Sequence, residues 1–330
     1  MKVISFNSYK GGACRTTTCY NTLPYLAKAL GATSDEPIIV YDIDLDSMGL
    51  TSIFHAKKRT GKERLVYSAK HLFVDDENGI NQKVRDGLDS IKANQEYFSH
   101  YEKVGEQLGL EDDGSVLFLG ADKNASTVSD DDYLKFAESS PAQMLIRKMK
   151  EMSPQPKAII FDCASGVQMT TLVALQLSDY GVMCMRPTFQ FRVGTADYLL
   201  RKIPFEINKR KSRQKREIIL LPTAVAQMEV PEDDPNRDNA LKMLNTLRKE
   251  AFDSINEDII EEYKNESKDG GLGYVLNTEM VEDRDDPVKG IPEIERFKWQ
   301  ECLLYKMDCI TEQEKILKRR YEKIAGLLAR

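Results

Sequence analysis

The stretch that decides the fold reads Met1-Lys2-Val3-Ile4-Ser5-Phe6-Asn7-Ser8-Tyr9-Lys10-Gly11-Gly12-Ala13-Cys14-Arg15-Thr16-Thr17-Thr18. Val3 to Phe6 predicts a short buried strand, and the apolar spacing after the threonines predicts a helix from Thr16 to Leu30 that ends at Gly31. A strand, a glycine loop, a basic residue, a hydroxyl and a helix follow one another in the order of a phosphate-binding loop.

The residue types of this loop have a physical use. Gly11 and Gly12 allow the backbone to fold tightly, so that successive N–H groups point inward. The start of the following helix adds a partial positive charge. A cationic side chain contacts the outer phosphates, and a threonine hydroxyl coordinates a magnesium ion.

The pattern x-K-G-G-x-x-K-[ST] is the deviant Walker A motif, and this segment resembles that of the ParA/MinD family of P-loop ATPases. It is most similar to a subgroup that has arginine in place of the loop lysine, S-Y-K-G-G-x-G-R-[ST]. Residues 8–12 and Arg15-Thr16 match that pattern, whereas Cys14 stands where glycine is usual. A side chain at that position requires a crowded loop or a strained backbone.

The resemblance implies ATP and Mg²⁺ as ligands. Nucleotide contacts are expected from Lys10, Gly11, Gly12, Ala13, Cys14, Arg15, Thr16 and Thr17. It further implies an ATP-dependent homodimer in which Lys10 reaches the partner's nucleotide, as an arginine finger does. Arg15 would clamp the β- and γ-phosphates and Thr16 would bind the metal. Arginine is not equivalent to lysine here, so we expect slow hydrolysis.

Acidic residues follow the second predicted strand, Pro37–Tyr41. Ligands of open α/β sheets bind at the carboxyl edge, where one carboxylate can hold a metal-bound water and another can orient the attacking water. The pair is Asp42/Asp44 or Asp44/Asp46, and the count of apolar residues before the first Asp favours Asp42/Asp44. The family's switch I motif, D-x-D, resembles this segment, which makes Asp42 and Asp44 catalytic candidates beside Lys10, and Asp44 a metal candidate.

Two further segments complete the candidate site. Ala158–Asp162 has the Walker B form, four apolar residues and an aspartate, so Asp162 is expected to hold magnesium through water. Cys163-Ala164-Ser165-Gly166 resembles the subgroup's switch II, which implies that the Gly166 N–H contacts the γ-phosphate. Pro292 lies in Gly290–Ile294, where family members place a segment near the adenine. ATP is favoured over GTP, because Lys211 occupies the aspartate position of a guanine-reading N-K-x-D motif.

Seven buried segments alternate with helical patterns and predict an α/β fold, a doubly wound and mainly parallel seven-stranded sheet of the ParA/MinD P-loop type. The seven expected strands are Val3–Phe6, Pro37–Tyr41, Ser115–Gly120, Ala158–Asp162, Tyr180–Met185, Ile218–Thr223 and Tyr274–Asn277. We expect a single domain over 1–330, with an elaboration at about 55–114 and an acidic, partly helical segment at about 229–270, helical over Asn239–Asn256.

The 330 residues carry 41% hydrophobic side chains and a net charge of −6, which is typical of a soluble protein and gives no general attraction to nucleic acid. One stretch is basic through Lys209, Arg210, Lys211, Arg213, Lys215 and Arg216. Non-specific DNA binding through phosphate contacts is one interpretation of it, and a solvated loop is the commoner one.

Neither a leader nor a membrane span is visible, and the six cysteines form no metal-binding or disulfide pattern, so we expect a cytoplasmic protein with reduced thiols. MinD binds membrane through a C-terminal amphipathic helix. Here the helix predicted over Thr311–Arg330 is expected to pack on the sheet, which makes membrane binding a poor interpretation.

Three functions remain. The leading one is an ATP-hydrolysing dimer switch that positions a cargo or recruits an effector through an unidentified protein partner. A binding module that holds ATP with little or no hydrolysis is the first alternative, because of Cys14 and Arg15. An ATP-dependent ligase or small-molecule kinase is the second, and no substrate pocket can be identified for it from the sequence.

Overall fold

The computed structural model describes residues 1–45, 47–55, 69, 101–121, 141–205, 216–226, 233–269, 272–282, 289–294, 303–308 and 311–330. Its strands form a single eight-stranded sheet with the order β3-β4-β2-β5-β1-β6-β7-β8. The strands are β1 (Lys2–Ser8), β2 (Ile38–Asp42), β3 (Glu102–Lys103), β4 (Val116–Leu119), β5 (Ala158–Ser165), β6 (Tyr180–Met185), β7 (Arg216–Pro222) and β8 (Tyr274–Asn277).

All seven predicted strands are present, and the mainly parallel sheet is confirmed. The additional strand, β3, has two residues and pairs antiparallel with β4 at the sheet edge. It was missed because two residues are too few to show a periodic pattern. Strands β1 and β5 both run beyond their predicted ends, to Ser8 and Ser165.

Helices cover the two faces of the sheet, which explains why the central strands are almost completely buried. They are α1 (Arg15–Leu30), α2 (Gly49–His55), α3 (Pro141–Glu151), α4 (Met169–Leu177), α5 (Phe189–Asp197), α6 (Arg237–Ile255), α7 (Glu262–Glu266), α8 (Glu279–Glu282) and α9 (Glu312–Ala329). Gly31 ends α1 in a left-handed conformation, as predicted. Helix α6 lies where Asn239–Asn256 was expected, and it continues through the π-helical segment Asn256–Glu261.

The strand order brings the candidate site together. Strand β5 lies between β1 and β2, and all three run in the same direction. Asp42 of β2 is directly opposite Asp162 of β5, and Ser8 of β1 is opposite Ser165. The chain segments that leave these strands therefore meet at one carboxyl edge, where such sheets bind ligands.

The C-terminal helix α9 packs mainly against α1, whereas the sequence predicted packing on the sheet. Its apolar face is buried through Leu317, Tyr321, Ile324 and Leu328. A capping box formed by Thr311 and Glu314 fixes its first turn. No helix in the described part of the chain has the length and apolar character needed to cross a membrane.

Two alanine substitutions on α9 test this packing. Ile324→Ala should lower the free energy of unfolding by about 2–5 kcal/mol, because it removes a side chain with no exposed surface and leaves a cavity. Gly326→Ala on the same helix should raise it by about 0.5–1 kcal/mol, because the added methyl meets no atom within 4 Å and alanine favours the helix. Urea denaturation measures both, and a small effect of Ile324→Ala would contradict the packing.

Candidate functional site

The loop between β1 and α1 has the shape of an anion-binding concavity. Gly12 has φ +83°, and a side chain there would meet nothing within 4 Å, so the loop is open where a ligand would lie. Cys14, at the N-terminus of α1, is also left-handed, with φ 52° and ψ 27°. The first N–H groups of α1 have no acceptor within the helix, because no helical carbonyl precedes them. The first turn of α1 carries no acidic residue. Successive N–H groups and a helix N-terminus together favour a phosphate.

Two side chains that the sequence analysis missed donate hydrogen bonds to the backbone carbonyls of this loop. The Thr223 hydroxyl donates to the Ala13 carbonyl at 2.7 Å, and the Arg186 Nε donates to the Gly12 carbonyl at 2.7 Å. Arg186 follows β6 directly and Thr223 follows β7. Their place just after buried parallel strands is the signal that could have identified them.

Arg15 lies inside the protein, among carboxylates. Its Nε donates to Asp162 Oδ1 at 2.9 Å and one terminal nitrogen donates to Asp44 Oδ2 at 2.7 Å. The same nitrogen lies 3.2 Å from the Thr16 hydroxyl, which donates to Asp162 Oδ2 at 2.8 Å. Burial alone would lower the pKa of the Arg15 guanidinium, but the charges of Asp162 and Asp44 raise it. The charge of Arg15 is therefore engaged by this acidic cluster.

Arg15 was predicted to clamp the phosphates, and that role stays a prediction. In the structure its guanidinium faces the candidate metal ligands Asp44 and Asp162, and it is only 7% exposed. The physical reason is that the carboxylates are buried and need a counter-charge close by. The sequence analysis did not identify these internal partners of the cation.

Asp42 supports the cluster from β2. It accepts hydrogen bonds from the Thr51 N–H and hydroxyl, each at 2.7 Å, and from the Asp44 N–H at 3.1 Å. Complete burial, and then the charge of Asp162, raise the pKa of Asp42 to about 7. Burial also raises the pKa of Asp162, although Arg15 opposes the shift.

Asp44 is slightly more exposed than Asp42, at 6% against 0%. Besides Arg15, it accepts from the Ser47 N–H at 3.1 Å and the Ser47 hydroxyl at 2.5 Å. Asp46, the alternative second member of the acidic pair, is outside the described residues. The structure thus brings Asp42 and Asp44 together with Arg15, Thr16 and Asp162.

The environments of Gly166 and Pro292 can also be described. The Gly166 N–H donates to the Ser8 carbonyl at 2.9 Å, because β5 continues beside β1 beyond its predicted end. The predicted contact with a γ-phosphate would require this bond to open. Pro292 pairs with Val225 in a short bridge just beyond β7. Gly290 allows this approach, since a side chain there would lie 2.4 Å from the Pro222 carbonyl oxygen.

The segment that contains Pro292 is connected to the loop. Glu293 Oε1 lies 3.7 Å from a terminal nitrogen of Arg186, whose Nε donates to the Gly12 carbonyl. Pro292 is itself buried. This arrangement places the segment expected near the adenine on the same side of the sheet as the glycine loop.

Lys10 points away from the acidic cluster. Its Nζ donates to Gln190 Oε1 at 3.0 Å and lies 5.9 Å from the centre of the Phe191 ring. The neighbouring Tyr9 ring packs on Gly194, where a Cβ atom would lie 1.9 Å from the ring. Lys10 is exposed, so its charge is available at the surface.

Lys10 borders an open groove of about 1160 Å³. Apolar side chains in the groove are exposed, with Phe189 at 70%, Val193 at 49% and Val167 at 42%. Asp258 and Glu262 also line the groove. An apolar surface next to an available lysine is typical of an interaction surface.

The basic stretch needs one correction. Arg216 is the first residue of β7, is only 5% exposed and donates to the Gln176 carbonyl at 2.7 Å. It therefore cannot belong to a surface patch that contacts DNA. Lys209, Arg210, Lys211, Arg213 and Lys215 lie outside the described residues, so DNA binding through them stays a prediction.

The donor atoms of the site fit magnesium. Thr16, Asp44 and Asp162 offer hard oxygen ligands next to the open loop. Among the described residues, no group of three His, Cys, Asp or Glu side chains is arranged to hold a metal by itself. Such a site suits a metal that takes its remaining ligands from phosphate and water.

Comparisons with known proteins show the fold. No family model matches the chain, and no curated protein matches its sequence. Solved structures do match. An ATP complex of a Cyanothece McdA variant is 14% identical, with a TM-score of 0.53 over 99% of this chain and 96% of that one. The Aquifex aeolicus MinC:MinD cell division protein complex is 15% identical, with a TM-score of 0.52 over 99% of this chain and 96% of that one.

A third match is the septum site-determining protein MinD of Pyrococcus horikoshii with Mg-ADP, at 13% identity and a TM-score of 0.50 over 99% of this chain and 95% of that one. At these identities the likeness establishes the fold alone. The chain has the α/β fold of the ParA/MinD P-loop NTPases, with one more strand than the sequence predicted.

Cys14 provides a test of the loop conformation. Cys14→Gly should raise the free energy of unfolding by about 1 kcal/mol, because glycine adopts the left-handed conformation without a Cβ clash. Cys14→Ala is the matched control, since it removes the thiol but keeps the Cβ and should give no such gain. Thermal or urea denaturation distinguishes them, and a glycine variant less stable than the alanine variant would contradict the loop conformation.

Proposed function

We propose that this chain is an ATP-binding and ATP-hydrolysing switch of the ParA/MinD type, which forms a homodimer with Mg-ATP and then positions a cargo or recruits a protein effector. The observation that carries the proposal is a single one. An open glycine loop at a helix N-terminus lies beside a cluster of the buried Asp44 and Asp162 and the half-buried Thr16 at one carboxyl edge. Phosphate and metal sites are combined in this way in P-loop NTPases.

The phosphates would lie on the amides of Gly11 to Thr17, and the adenine would lie near Pro292. Thr223 and Arg186 would keep the loop in shape from the opposite side. The loop motif favours the subgroup with arginine at position 15. Two of the structures with a similar fold contain nucleotide, an ATP complex of McdA and MinD with Mg-ADP. This likeness supports nucleotide as the ligand.

Thr16, Asp44 and Asp162 would hold Mg²⁺, some of them through water. When bound, the metal would neutralise charge that develops on the phosphates. Asp44 is the better candidate for orienting the attacking water, because it retains some exposed surface, whereas Asp42 is fully buried and accepts hydrogen bonds from Thr51 and the backbone. In this proposal Asp42 holds Asp44 in position.

Lys10 is the residue that calls for a second copy of the chain. Its ammonium contacts a neutral amide and a ring face at the edge of the open groove, away from the cluster formed by Arg15. A second copy that covers Phe189, Val193 and Val167 would remove exposed apolar surface from water and receive Lys10 at its own nucleotide. Charge from the partner would then reach the transferred phosphoryl group.

One observation favours a second candidate, an ATP-binding module without significant hydrolysis. Arg15 forms ion pairs with Asp44 and Asp162. The charges that catalysis would need are therefore neutralised by one another. If nucleotide binding left these contacts in place, the chain would bind ATP without turnover. Measurable ATP affinity with turnover at background level would select this candidate.

Lys10→Ala tests the dimer switch. Light-scattering mass should show that the wild type is a monomer that becomes a dimer with Mg-ATP, and that the variant binds ATP but neither dimerises fully nor hydrolyses it. Turnover should fall by at least about a hundredfold, as for lost arginine fingers. Lys2→Ala is the matched control, because Lys2 lies at the opposite end of β1 and contacts Tyr180.

The outcomes separate the candidates. A mass that does not respond to Mg-ATP, together with measurable ATP binding, would reject the dimer switch. Unchanged turnover in Lys10→Ala would reject the role of Lys10. Absence of ATP binding by direct titration would reject both candidates and leave only the fold.

A further inference from the structure

Arg15 occupies the place among the oxygen ligands where a metal ion would be expected. It makes contacts of 2.7 and 2.9 Å with Asp44 and Asp162, and its terminal nitrogen lies 3.2 Å from the Thr16 hydroxyl. These are the same three side chains that would coordinate Mg²⁺ in the proposed function. A guanidinium and a metal compete for these carboxylates, because both are positive and the guanidinium already occupies one oxygen of each.

The surroundings of Arg15 show that the contact differs from an ordinary ion pair. Arg192 and Asp258 form a pair with the same atoms and the same 2.9 Å separation, but Asp258 is 38% exposed and reaches water. Around Arg15, by contrast, Asp42, Asp44 and Asp162 are all buried. Removal of the guanidinium would leave several buried carboxylates without a counter-charge, and such a group attracts a cation strongly.

We propose that Arg15 is the resident cation of the metal site, and that nucleotide must draw it out of the cluster before Mg²⁺ can bind. The planar fork of arginine suits both roles, since it can engage two carboxylates in the free chain and two phosphate oxygens in the loaded one. Binding is then ordered, with nucleotide first and metal second. This inference rests on the proposed function, and it names the residue that regulates entry to that site.

The wild-type chain gives the first test. Mn²⁺, followed by its electron paramagnetic resonance signal, should not bind to the nucleotide-free protein, whereas ATP should bind in the presence of EDTA. Mn²⁺ should then bind once ATP is present. Binding of Mn²⁺ to the nucleotide-free wild type as tight as its binding to the ATP-loaded protein would overturn the proposal.

Variants give the second test, which needs no nucleotide. Arg15→Gln should bind Mn²⁺ at least about tenfold more tightly than the wild type, and Mn²⁺ should raise its melting temperature. Arg192→Gln is the matched control and should gain no affinity, because it frees a single carboxylate with access to water. The double variant Arg15→Gln/Asp44→Asn should lose the gain, since it removes one of the two freed carboxylates.

The experiment also gives a result if Arg15→Gln folds poorly. If Arg15→Gln is unfolded without metal, addition of Mn²⁺ should restore its circular dichroism, and the double variant should fold without metal. Equal Mn²⁺ affinity of the folded wild type and Arg15→Gln would overturn the proposal, as would an Arg15→Gln chain that stays unfolded with Mn²⁺. Failure of ATP to bind under any condition would reject the proposed function. It would not affect the expected increase in the Mn²⁺ affinity of Arg15→Gln.

Discussion

The structure depends on how it neutralises the carboxylates that its parallel sheet brings together. Because β2 and β5 are neighbours with the same direction, Asp42 is opposite Asp162, and both are fully buried. Charges so close in a protein interior repel one another and lose hydration. Arg15 provides the counter-charge, and its position at the start of α1 ties the helix to the two strands. The ion pair and the packing of α1 therefore stabilise each other.

The glycine loop shows a related constraint. Cys14 adopts a left-handed conformation that is unfavourable for a residue with a side chain, and the chain keeps this geometry without a described side-chain cap at that helix end. Thr223 and Arg186 hold the preceding carbonyls. A loop held by its surroundings in an unfavourable conformation is pre-organised for a ligand, because little further ordering is needed on binding.

The sequence predicted the parts of the fold that local patterns determine. Buried strands, the glycine loop and the end of α1 at Gly31 follow from apolar runs and backbone chemistry, and the residues that converge on the site follow from the parallel order. The direction of the Arg15 side chain could not be predicted, because it depends on carboxylates 29 and 147 positions away in the chain. The burial of Arg216 was missed for the same reason, since a basic run looks exposed until its strand is placed. The single-domain organisation stays a prediction.

Two cations of the loop have different contacts, and this difference is the strongest link between structure and proposed function. The charge of Arg15 is balanced inside the chain by Asp44 and Asp162, so a nucleotide would have to compete for it. Lys10 contacts a neutral amide at the edge of an apolar groove, so its charge can be given to another molecule. Because catalysis by charge neutralisation requires a cation at the transferred phosphate, the outward lysine favours a site that is completed by a second chain.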